Sequence, residues 1–200
     1  MNRQLTLQQY RTIDLLLFAA MLALFEFLIV RFATGSMFGT VSLAAALTAI
    51  VYMRWGWWGG LHAALAGALF CFYLSLAPSA VQIIGWNDYL TYIVGNLFSL
   101  LAVAGLEALG KERVRQSVWL SLGFALAVIV LMQGGRMLVA LTLGCPPEEL
   151  VRSYFLYDCL SILFTLVIIW IVRRLDGVFE DQRHYLLRLQ EERERNNTEQ

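Results

Sequence analysis

Six long apolar stretches follow one another almost without a break, at approximately 12–32, 38–54, 57–76, 88–109, 116–143 and 152–173. A bilayer core about 30 Å thick is crossed by about 20 apolar residues in a helix, and a backbone in hydrocarbon must satisfy its own hydrogen bonds. The pattern therefore predicts an all-α integral membrane protein, a six-transmembrane-helix bundle over 1–175. Gly, Pro and charged residues mark the breaks in "RFATGSMFG", "RWGWWGG", "APSAVQIIGWND", "GKERVRQ" and "GCPPEEL". With 59% hydrophobic and 15% charged residues and a mean hydropathy of +0.63, little is left for a soluble domain. The first stretch lacks a small-x-small cleavage pattern followed by polar sequence, so it is expected to be a retained span rather than a signal peptide.

Arginine placement orients the bundle. Arg3, Arg11, Arg54, Lys111, Arg113, Arg115, Arg173 and Arg174 fall on one side of a six-span arrangement, and only Arg31 and Arg152 on the other. The positive-inside bias then predicts cytoplasmic N- and C-termini in a cell inner membrane. Residues 176–200 form a cytoplasmic amphipathic helix and charged tail, because Leu175, Val178, Phe179, Gln182, Leu186 and Leu189 recur at helical spacing among charges. Formal charge is zero, so no basic field recruits nucleic acid. Cys71, Cys145 and Cys159 show neither zinc-ligand nor disulfide-framework spacing, and no metal or other cofactor is expected.

Polar residues inside the spans carry the functional signal. Arg136 lies in "LMQGGRMLVALTLG", where an arginine costs about 2.5 kcal/mol or more in hydrocarbon unless paired or wetted. At about 100° per residue, Gln133 and Arg136 share one face of the fifth span. Tyr89, Tyr92, Asn96 and Ser99 share a face of the fourth, and Tyr154, Tyr157, Asp158, Ser161 and Thr165 a face of the sixth. Glu26, Tyr89, Tyr92, Asn96, Gln133, Arg136, Tyr154 and Asp158 are expected in the outer halves of their helices. This places a polar cavity near the outer surface, with Asp158 or Glu26 as counter-ion of Arg136; a purely structural Arg136–Asp158 pair holding two spans together is the alternative. Asp14 and Glu107 are expected to snorkel or cap near helix ends, and His62 to be hydrogen-bonded near an interface. Small-residue stripes at Gly59–Ala63–Gly67 and Gly60–Ala64–Ala68 allow close helix contact, as do Ala19 and Ala23.

Chemistry is sparse. There is no Walker A, HExxH or GxSxG sequence, and both His62 and His184 lie on the predicted cytoplasmic side, so an enzyme is not expected. The chain instead resembles the substrate-binding (S) components of energy-coupling-factor vitamin transporters. The resemblance covers most of residues 10–175 and rests on "AAMLA", which looks like the family's AxxxA docking motif at Ala19 and Ala23, and on the "GWWGGLHAALAGAL" turn into the third span. The connection after the first span is shorter than in many members.

The resemblance implies a subunit of an ABC-type importer that captures a vitamin or related micronutrient at the outer face. Its implied partners are a transmembrane coupling subunit and two ATPase subunits. On that reading Arg136 holds an anionic group, Asp158 orients Arg136 or accepts from an amine, Asn96 and Gln133 hydrogen-bond, Trp86, Tyr89 or Tyr154 stack on a flat ring, and Tyr92 also lines the site. Glu26 ranks below these, because it shares a helix face with Ala19 and Ala23. A different class fits the same spans: a non-transporting scaffold resembling rod-shape-determining MreD-type proteins, for which no ligand cavity is needed.

Overall fold

Thr6 starts the first helix by a reciprocal cap: its backbone N–H donates to Gln9 Oε1 at 3.0 Å, and the Gln9 N–H donates to its hydroxyl at 3.3 Å. The computed structural model describes residues 6–33, 42–76, 85–147 and 159–198. Helix α1 (Leu7–Ala33) buries Asp14, Phe18, Leu22 and Glu26, one residue in four, and leaves Leu16, Leu17, Leu24 and Phe27 exposed on its other side. Such a face on an otherwise ordered helix suits lipid rather than water.

Helix α2 (Ala44–Trp55) is buried along its whole length. It ends at Gly56, whose φ of +58° is open to glycine at little cost, and a single 3₁₀ turn (Gly56–Trp58) leads into α3 (Gly59–Ser75). The Thr48 hydroxyl lies 3.1 Å from His62 Nδ1. Fourteen residues of straight helix would separate them by about 21 Å. The chain therefore folds back at the Gly56 turn, and α2 and α3 are antiparallel arms of a hairpin.

Helices α4 (Trp86–Leu97) and α5 (Leu100–Leu109) follow one path through a tight turn at Phe98–Ser99. After the short α6 (Lys111–Gln116), Ser117 caps α7 (Val118–Thr142), its hydroxyl accepting from the Leu120 N–H at 3.4 Å. The apolar α8 (Cys159–Val172) and the polar α9 (Gln182–Thr198) complete the described chain, which has no strand among its described residues.

Among the described residues, four helical stretches are long and apolar enough to cross a membrane: Leu7–Ile29, Ala44–Ser75, Trp86–Leu109 and Val118–Thr142, the second being the hairpin. Leu160–Val172 is apolar but shorter. The architecture is that of an all-helical, membrane-embedded protein. Its core, with Tyr52, Met53, Leu106, Met132 and Ile169 fully or almost fully buried, runs between α2, α5, α7 and α8.

The C-terminal segment differs from the amphipathic helix expected from Leu175 onward. Residues 173–180 form turns, with Gly177 at φ +72°, and helix begins only at Gln182. The reason is burial. Phe179 and Gln182 have no exposed surface, and Phe179 joins the main core. A continuous helix would give up the positive φ that turns this segment back under the bundle.

Candidate functional site

The polar groups of α4 are set where three helices meet at glycines. A Cβ on Gly95 would lie 2.6 Å from the Arg136 backbone, and one on Gly135 would lie 2.7 Å from Phe98 Cβ. On the other side of α4, a Cβ on Gly67 of α3 would lie 2.5 Å from the Tyr92 carbonyl. Glycine at these three positions lets α3, α4 and α7 approach backbone to backbone. Between them Asn96 is fully buried. Its Nδ2 donates to the Ala63 carbonyl at 3.0 Å, and its Oδ1 accepts from Arg136 Nε at 2.7 Å. The guanidinium carbon sits 4.7 Å from the Tyr92 ring centre, and that ring packs on Phe70 at 4.9 Å.

The backbone at this level departs from α-helix. Phe98 and Ser99 donate to Gly95 and Asn96 at 3.2 and 3.1 Å, and Leu101 and Ala102 donate to Phe98 and Ser99 at 3.0 Å, all three residues back. The Asn96 carbonyl also accepts from the Ser99 hydroxyl at 2.5 Å, and that hydroxyl lies 2.7 Å from the buried Tyr52 hydroxyl. A 3₁₀ stretch in mid-span, carrying a buried amide and hydroxyl, is a recurrent mark of a functional or strained position. The Asn96 oxygen and the Tyr92 face both orient Arg136, and its planar fork takes its direction from them.

Of the residues expected at the site, Tyr92, Asn96 and Arg136 come together, and Gln133 is buried on the same helix as Arg136. Trp86 and Tyr89 pair at 6.1 Å at the start of α4, with Trp86 84% exposed. Tyr154 and Asp158 lie outside the described residues. Glu26 belongs to a second polar group: its Oε1 accepts from the Ser42 hydroxyl at 2.6 Å, and the Ser42 N–H donates to the Ser161 hydroxyl at 2.9 Å. Ala19 and Ala23 are half-buried, flanking the inward face of α1 that carries Glu26.

Spacing within one helix gave no sign of which residues on other helices Asp14, Gly95 and Gly135 would meet. Asp14, expected to snorkel or cap, is buried in a bidentate pair with Arg54 (Nη2 to Oδ1 2.6 Å, Nε to Oδ2 2.7 Å) and accepts from Trp55 Nε1 at 2.6 Å. Arg54 also donates to the Gly177 carbonyl and, at 3.2 Å, to that of Val178, tying the C-terminal turn to α1 and α2. Gly95 and Gly135 were legible only as small residues beside polar ones, in "VGN" and "QGGR". His62 is hydrogen-bonded as expected, and its partner is the buried Thr48. No group of three metal-ligating His, Cys, Asp or Glu side chains occurs among the described residues. No family model, curated protein or solved structure matches the chain.

Proposed function

We propose that the chain is the membrane-embedded substrate-binding subunit of an energy-coupling-factor-type importer, crossing the inner membrane six times with both termini in the cytoplasm. The observation that carries the reading is Arg136 in the C-terminal third of the apolar α7, oriented by Asn96 and by the face of Tyr92. A cation at that depth is costly, and intramembrane charges usually serve a ligand or ion path. In this reading the four apolar stretches with the hairpin counted twice, plus α8, make the six crossings. The ligand is a small vitamin-like compound with an anionic or acceptor group for Arg136. Ala19 and Ala23 face the coupling subunit, and ATP hydrolysis occurs in two partner subunits.

The scaffold reading is favoured by a different observation, the investment in holding the C-terminal segment: Phe179 in the core and Arg54 on two of its carbonyls. Native mass spectrometry of the protein released from its own membranes separates the two. The importer subunit carries a small molecule of a few hundred daltons, lost in Arg136→Ala and Asn96→Leu but kept in a surface variant such as Trp119→Phe. A scaffold carries none in any form.

A further inference from the structure

A cavity of about 1040 Å³ opens where the α2–α3 turn, the α5–α6 turn and α9 meet. Trp57 and Trp58 line it and are 52% and 46% exposed. Its lining holds as many Asp and Glu as Lys and Arg side chains, with His184 besides. That balance argues against a phosphate or anionic headgroup site, which needs a surplus of cations.

The sign of the charge changes along α9 instead. Arg183, Leu187 and Glu191, spaced by four and therefore on one face, all line the cavity and are all exposed. Read from the opposite end, this stripe has the same pattern with its charges exchanged. A two-fold axis through Leu187 would set it against Leu187 of the partner subunit and each Arg183 against Glu191 of the partner subunit. Self-complementarity of that kind is what an isologous interface requires.

We infer that this groove receives the C-terminal helix of a second copy of the chain, antiparallel to α9. The apolar contact is Leu187 on Leu187, with the exposed Trp57 and Trp58 covered at its edge. The two symmetric ion pairs set the register, and neither depends on what the opposite half of the bundle binds.

Leu187→Cys in the full-length protein, oxidised in native membranes, tests it. A disulfide-linked dimer is expected that is absent without the substitution and weak with Glu192→Cys, which points to another face. Arg183→Glu or Glu191→Arg alone should each weaken dimerisation about tenfold, since two attractive pairs become repulsive, and the double reversal should restore it. No dimer at Leu187→Cys, one indifferent to charge reversal, or one as strong at Glu192→Cys would overturn the proposal. So would a monomer retaining an anionic phospholipid that Arg183→Glu releases.

Discussion

Arg54 and Arg136 are both arginines in apolar helices. Arg54 has a buried carboxylate, Asp14, as a bidentate partner and two backbone carbonyls besides. Removing one member of such a pair leaves a buried charge, so Asp14→Ala is expected to cost about 3–5 kcal/mol in thermal unfolding followed in mild detergent. Asp14→Leu combined with Arg54→Leu should cost distinctly less than either change alone. Arg136 Nε donates to the Asn96 amide oxygen, and its guanidinium lies over the Tyr92 ring. Asn96→Leu should lower stability by about 1–3 kcal/mol, because the Ala63 carbonyl and Arg136 Nε lose their buried partner. Arg136 stood out in the sequence because a cation in an apolar run is costly unless it is paired or wetted. Asp14 did not, because its partner lies forty residues away and nothing local announces the pairing.

Helices were legible from apolar length alone, and the hairpin from its Gly and Trp residues, since hydrophobic runs and glycine punctuation are local properties. What separates them from a generic bundle is where glycine faces glycine or backbone. Gly95→Ala and Gly135→Ala should each destabilise by about 1–3 kcal/mol and loosen the α4–α7 contact that positions Arg136. Gly105, Gly123 and Gly134 have open space where a Cβ would go, so alanine there should be neutral or stabilising by up to about 1 kcal/mol. The same thermal series in detergent checks both sets. The sequence marks all five glycines alike; only the neighbouring helix distinguishes them.

At the scale of the whole molecule, the C-terminal turn is part of the fold rather than an appended tail. Glu180 receives Arg115 at 3.6 Å and also Arg188, Lys111 reaches Asp181 at 2.6 Å, and Phe179 fills the end of the core. Phe179→Ala is accordingly expected to cost about 3–5 kcal/mol, and a chain ending at Arg174 to be far less stable than one ending at Leu189. Periodicity misread this segment because Leu175, Val178 and Phe179 fall at helical spacing while Gly177 turns the backbone the other way. The membrane character of the molecule was plain from composition. The convergence of Asn96, Tyr92 and Arg136 was half legible, as polar faces on separate helices whose meeting depends on helix packing.

The importer reading is tested most directly by affinity purification of the full-length protein from its native membrane in mild detergent, with mass spectrometry of what accompanies it. Two P-loop ATPases and a second membrane subunit in stoichiometric amounts are the expected result. Cell-wall synthesis or cytoskeletal proteins without ATPases would contradict it and leave Arg136 as a structural residue of a scaffold.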